Sequence, residues 1–313
     1  MPNENARADA VPSAPWYEKF AIPILGVVLC LIALSLSAEF HLLIIEDMFT
    51  EQGLAVILGI ALGVVFLKFP FNRNQQRDKV PWYDALFALV GFASMIYLSF
   101  RYQHLQENEF YTRPEQFVIG IIVIPLIIES LRRTTGWSLV AILSAFLVYA
   151  LFGDLVPGNL KGLSLLPIHQ KAVPFLVLDN TAIFGVPMTI ICTIVVMFIF
   201  MGQLLLKSGG SNWFTDIAMA LMGHTRGGSA KIAVVASGLF GSISGTAVSN
   251  VASTGVITIP LMRQAGYSRK VAGAFEAVAS TGGQIMPPIM GAAAFLMAEF
   301  LEISYAEVVV AAV

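Results

Sequence analysis

Two interruptions in the apolar C-terminal half of the chain carry the residues able to do chemistry. The first is Gly241-Ser242-Ile243-Ser244-Gly245-Thr246, with Ser249 and Asn250 just beyond. The second is Ser280-Thr281-Gly282-Gly283-Gln284, followed by Pro287-Pro288. Hydroxyls, carboxamides and freed backbone carbonyls are neutral oxygen ligands, which hold a cation such as Na+ without burying net charge. The N–H groups at broken helix ends suit an anionic solute. Glu276 lies just before the second interruption, about 9 Å along a helix from Lys270 at 1.5 Å per residue. An acid inside an apolar span is a functional candidate by default, here as a proton carrier. The plainer alternative has it reaching toward an interface to pair with a base such as Arg269. Small residues also serve tight helix packing, and Gly59 with Gly63 read that way.

Other chemistries lack their residues. The sequence contains no G-x-x-x-x-G-K-[ST] phosphate loop and no H-E-x-x-H pair, and Gly241–Gly245 lacks the central serine of a nucleophile elbow. His41, His104, His169 and His224 are scattered, and the two cysteines, Cys30 and Cys192, fall in separate apolar runs as packing thiols. No enzyme, resident metal or organic cofactor is expected; the coupling ion would be Na+ or H+. A gradient-driven carrier fits better than a channel, since no filter-like run of carbonyls or ring-forming acid is present.

The elements that must position these residues are membrane helices. Of 313 residues, 57% are hydrophobic and 12% charged, about half the charge of a soluble domain. The net charge of -2 offers no basic face to nucleic acid. Apolar runs long enough for spans lie at 20–38, 53–67, 83–100, 116–129, 137–153 and 186–206. The first is read as a retained helix rather than a signal peptide, because Glu4, Asp9 and Glu18 outnumber Arg7 and Lys19 ahead of it. With the N-terminus in the cytoplasm, segments 1–19, 68–80, 129–136, 207–231 and 263–270 fall inside and hold fourteen of the eighteen Lys and Arg. Arg101, Arg113, Lys161 and Lys171 fall outside, and the first outer loop carries only acids: Glu39, Glu46, Asp47 and Glu51. That bias orients the chain.

The same rule shapes residues 229–265. Arg226 and Lys231 precede the segment, and Arg263, Arg269 and Lys270 follow it, so both ends belong on one side. About 31 residues between Lys231 and Arg263 are too few for two full spans and a turn. The expectation is a re-entrant hairpin of two half-helices of about 12 residues, with its tip at 241–246 and near the midplane. Residues 270–301 read as a helix broken at Thr281–Gln284 and the prolines, which cannot continue a regular helix.

The runs ASGLFGSISGTAVSNVASTGVITIPLM and GYSRKVAGAFEAVASTGGQIMPPIMGAAAFLMAEFLEISYAEV resemble the large membrane subunit of TRAP (tripartite ATP-independent periplasmic) transporters, most closely the fused permeases of the TAXI subtype. The resemblance is dense over 181–313 and looser, by hydropathy, over 1–155. It implies an all-α polytopic membrane protein. Residues 1–155 would be a small-subunit-like region with a connecting helix, and 156–313 the first half of an elevator-type transport subunit. Ser242, Ser244, Gly245, Thr246, Ser249 and Asn250 would then line half of a substrate and coupling-ion site with Ser280, Thr281, Gly282, Gly283, Gln284 and Pro287. A periplasmic solute-binding protein would deliver a small organic acid, such as a dicarboxylate or amino acid, to the outer face of the bacterial inner membrane. Two departures stand out. The family's subunit continues through a second hairpin, so the chain looks like an N-terminal portion. Glu276 stands where dicarboxylate-type members have an apolar residue, which leaves proton coupling open beside sodium.

Overall fold

Long runs of Leu, Ile, Val and Ala can satisfy their backbone in an apolar medium only by winding into helix, since each N–H and C=O then pairs within its own segment. The computed structural model describes residues 17–40, 48–72, 80–106, 114–158, 161, 173–179 and 182–312, and among these it is helical with no strand. The outer-loop acids Glu46 and Asp47, the bases Arg7, Arg73, Arg77, Lys79, Arg113 and Lys171, and His41 and His169 lie outside the described residues.

The chain divides into two compact units, Met1–Thr189 and Ile190–Val313. The first unit contains α1 (Ile22–Ser37), α2 (Thr50–Lys68), α3 (Trp82–Gln106), α4 (Pro114–Thr135), α5 (Trp137–Phe152) and the short α6 (Val173–Leu178). Helices α2 and α3 form its spine, with Leu54, Leu62, Met95 and Leu98 fully buried. Gln52 and Ser99 tie them reciprocally, as the Gln52 amide donates to the Ser99 carbonyl at 2.8 Å and the Ser99 hydroxyl to the Gln52 carbonyl at 2.9 Å. A buried ion pair locks α3 to α4: the Arg133 guanidinium meets Asp84 at 2.7 Å with neither side chain exposed. Glu129 takes a second Arg133 nitrogen at 2.7 Å, and the Arg133 plane lies 4.9 Å from the Phe66 ring.

Helix α7 (Val186–Ile190) passes through a π-wound turn, Ile191–Val195, into α8 (Val196–Lys207). The second unit continues with α9 (Gly210–Met222), α10 (Gly228–Ser244), α11 (Ala247–Gln264), α12 (Arg269–Gly282), α13 (Ala292–Phe300) and α14 (Tyr305–Ala311). Among the described residues, five stretches are long and apolar enough to cross a membrane: Tyr17–Ser37, Thr50–Lys68, Trp82–Gln106, Pro114–Thr135 and Val186–Leu205. All six runs read from hydropathy are helical, but the 137–153 run forms only the 16-residue α5, shorter than the five span-length stretches. Large apolar side chains such as Phe20, Phe100 and Phe146 remain on the surface, as lipid-facing walls require.

Two expectations need correction. The hairpin arms have 17 and 18 residues rather than about 12, or roughly 25 Å each at 1.5 Å per residue. Only Gly245 and Thr246 interrupt them, and residues 241–244 form the last turn of α10. The small residues before Gly245 let another backbone approach; they do not break the helix. Likewise Ser280, Thr281 and Gly282 are still helical, and unwinding begins at a 3-10 turn, Gly283–Ile285, continuing through Met286–Gly291 with a cis Pro287-Pro288 bond.

Candidate functional site

The hairpin turns where glycine permits it. Gly245 ends α10 at φ +60°, a left-handed conformation that costs other residues about 1 kcal/mol, and a Cβ there would collide with the carbonyl of Met290. Thr246 caps α11, its hydroxyl accepting from the Ser249 N–H at 3.3 Å. The interrupted helix is laced onto this turn by backbone. The Ile289 N–H donates to the Ser242 carbonyl at 3.1 Å, and the Gly291 N–H to the Gln284 carbonyl at 2.7 Å. Tyr305 supports the far side, its hydroxyl within donating reach of the carbonyls of Ile289 at 2.5 Å and Pro288 at 2.9 Å, while its ring stacks on Phe295 at 4.3 Å.

Below the turn, α10, α11 and α12 enclose a polar cluster. Ser237, Asn250, Thr254, Thr258, Glu276 and Ser280 are each 0–1% exposed. The Glu276 carboxyl group is at its centre. Oxygen Oε1 lies 2.6 Å from the Thr254 hydroxyl and 3.2 Å from those of Ser237 and Ser280, and Oε2 is bonded by the Thr258 hydroxyl. Among the described residues no base forms an ion pair with Glu276, so hydroxyl donors stand in for a counter-ion; the pairing with Arg269 weighed from sequence does not occur. Each hydroxyl has a single proton to give. Thr254 and Thr258 also have backbone acceptors in reach, the carbonyls of Asn250 at 2.9 Å and Thr254 at 3.0 Å. Asn250 locks the arrangement, donating to the Ser237 carbonyl at 2.8 Å and approaching that of Ser280 at 3.5 Å.

The two interruptions meet backbone to backbone. A Cβ on Gly283 would lie 2.7 Å from Asn250 Nδ2 and 2.8 Å from the Gly241 Cα, so both glycines are required by contact rather than by turn geometry.

The residues singled out from sequence divide into three groups. Asn250, Glu276, Ser280 and Gly283 come together in the cluster, with Gly245, Thr246 and the Ser242 carbonyl at its upper rim. Ser244 is buried beside the turn, its hydroxyl without a hydrogen-bond partner. The side chains of Thr281 and Gln284 are exposed and outside the cluster, Thr281 donating to its own helix at the Ala277 carbonyl. Gly282 faces open space, Pro287 is half-buried within the unwound stretch, and Ser249 is half-buried on another face of α11. Sequence reasoning missed Ser237, Thr254 and Thr258. The signal was there: Asn250, Thr254 and Thr258 recur every four residues, as do Glu276 and Ser280, each a polar stripe on one helix face.

The profile of the family described as the tripartite ATP-independent periplasmic transporter, DctM component, matches residues 122–313. Among curated proteins, the sialic acid TRAP transporter permease protein SiaT of Haemophilus influenzae is 25% identical over 64% of this chain and 29% of its own length. The 2,3-diketo-L-gulonate TRAP transporter large permease protein YiaN of Escherichia coli is 31% identical over 34% of this chain and 25% of its own. The C4-dicarboxylate TRAP transporter large permease protein DctM of Pseudomonas aeruginosa is 35% identical over 29% and 21%. The chain thus spans less than a third of the length of these relatives. No solved structure matches it. These relatives are transporter permeases rather than enzymes, and the match covers the hairpin, the interrupted helix and most of the helices before them. The chain belongs to the DctM component family of TRAP transporters.

Proposed function

We propose that this protein is the membrane permease of a TAXI-type TRAP system, importing a small organic anion handed over by a periplasmic solute-binding protein. The observation that carries the reading is the meeting of two helix interruptions over a sealed hydroxyl and carboxyl cluster inside an apolar protein. Burying six polar side chains is costly unless they are hydrogen-bonded to one another, as these are, and a carboxyl group sealed inside an apolar bundle is a functional candidate by default. The relatives named for sialic acid, 2,3-diketo-L-gulonate and C4-dicarboxylates supply the substrate class, since all three are carboxylates. The protein sits in the bacterial inner membrane with its N-terminus in the cytoplasm, and its second unit moves as half of an elevator-type carrier.

Coupling is to a sodium or proton gradient. Sodium would be held by neutral oxygens at the turn (Ser242, Ser244, Thr246, Ser249, Asn250, with Ser280 and the Gly283 backbone); a proton would ride on Glu276. The test is uptake by the full-length protein in proteoliposomes, with and without its binding protein, under separately imposed Na+ and pH gradients. Uptake should be negligible without the binding protein. Proton coupling predicts that Glu276→Gln abolishes pH-driven uptake in a protein that still purifies as folded. Sodium coupling predicts that Asn250→Ala raises the Na+ needed for half-maximal uptake. Full uptake without the binding protein would overturn the tripartite reading.

A further inference from the structure

A cavity of about 940 Å3 runs along the outer face of the hairpin, between α8, the start of α9 and α11. Thr246 and Ser249 stand at its tip end, while Gln203, Lys207 and Asn212 form the opposite wall. The remaining lining is small or aliphatic, with Val256 and Ile257 prominent. It is an open groove rather than an enclosed pocket, with room for a small molecule.

The charge in this cavity is one-sided. Lys207 is the only ionisable side chain in the lining, is exposed, and forms no ion pair among the described residues. No Asp or Glu occurs from Ile217 to Phe275, so the long stretch that includes the α11 wall supplies no competing carboxylate. A lone cation beside amide and hydroxyl donors, facing an aliphatic wall, complements a carboxylate attached to a short carbon skeleton. It disfavours a cation outright.

Helix α11 gives the cavity a relation to the buried cluster. Ser249, Ser253 and Val256 lie at i, i+4 and i+7, on one face. Asn250, Thr254 and Thr258 begin one residue on, about 100° around the axis. One stripe holds Glu276, and its neighbour lines the cavity.

We propose that Lys207 is the charge-selecting contact of the transport path, its ammonium binding the carboxylate of the small organic anion beside the hairpin turn. This rests on the anion-importer reading and adds the residue that selects the sign of the substrate's charge. The test measures thermal stabilisation of the purified full-length permease by succinate, 2-oxoglutarate and glucuronate, against succinamide and glucuronamide at matched ionic strength. The wild type should respond to at least one acid and not to its amide. Lys207→Gln should weaken that response about ten- to a hundredfold, the loss of one charge-assisted contact, while Lys207→Arg should stay within several-fold of the wild type. A wild type that answers acid and amide alike, or a Lys207→Gln variant with undiminished affinity, overturns the role of Lys207 and leaves the transporter reading standing. A wild type stabilised by none of the acids overturns the anion reading and this inference together.

Discussion

Thr254 shows what a single hydroxyl does in the buried cluster. It is fully buried, 2.6 Å from the Glu276 carboxyl and 3.1 Å from the Ser237 hydroxyl, so it touches both the acid and the neighbouring arm. Thr254→Val keeps its shape and removes the donor. The expected cost is on the order of 1–3 kcal/mol, the desolvation penalty of a buried polar partner left short of a bond, read as a lower unfolding midpoint in detergent. Thr254→Ser should recover most of it. If Thr254→Val proves as stable as the wild type, the hydroxyl is not holding the carboxyl group. Glycines separate just as sharply. Gly283→Ala drives a methyl into Asn250 and Gly241, and overpacking of that kind costs about 1–3 kcal/mol or more. Gly273, inside α12, has nothing within 4 Å of an added Cβ, so Gly273→Ala should be neutral or stabilising by up to about 1 kcal/mol.

At the scale of elements, the hairpin and the interrupted helix were legible because both are written in local terms. Bases at the two ends of 229–265 and a Gly-Pro signature after Ser280 need no distant partner to be recognised. Arm length was misjudged because glycine and serine look alike in sequence whether they break a helix or admit a neighbour, and only the packing of Gly241 on Gly283 distinguishes the two. The ion pair between Asp84 and Arg133 was invisible for a different reason. The residues lie 49 apart, and Arg133 had an adequate explanation as an orienting charge near the end of a span. The pair in fact pins α3 to α4 with both side chains sealed. Breaking such a pair from one side typically costs about 3–5 kcal/mol, and here Glu129 stays on a second Arg133 nitrogen, so the lower end of that range is expected. Asp84→Ala should therefore sharply reduce the yield of folded protein. Asp84→Ala with Arg133→Met, which removes both charges, should restore much of it, and failure of that rescue would assign Asp84 some role other than neutralising Arg133.

For the whole molecule, the decisive question is on which side of the membrane the open end of the hairpin lies. Fourteen of eighteen Lys and Arg fall on one side if α10 and α11 enter and leave together. Were the pair to cross completely, the turn at Gly245–Thr246 would emerge on the far face, and the cluster around Glu276 would sit near one leaflet. The arms measure roughly 25 Å, against a hydrocarbon core of about 30 Å, and their open ends carry Lys231 near the start of α10 and Arg263 in the last turn of α11. With both bases held at the interface, the turn would stay within the core, where non-helical backbone is tolerated only against protein or a wet cavity. Gly245 meets the first condition by packing on Met290, and Thr246 borders a cavity that would meet the second if water fills it. Single cysteines at exposed positions test this once Cys30 and Cys192 are replaced. Lys161→Cys should react with an impermeant maleimide in intact cells, whereas Arg226→Cys and Gln264→Cys should react only after the membrane is opened. Thr246→Cys should resist the bulky maleimide from either side yet react with a small, water-borne thiosulfonate that can enter the cavity. Labelling at 264 from outside would reverse the orientation. Ready labelling at 246 by the impermeant maleimide in intact cells would mean that the turn emerges on the outer face, and the hairpin would then be two crossings rather than a re-entrant pair.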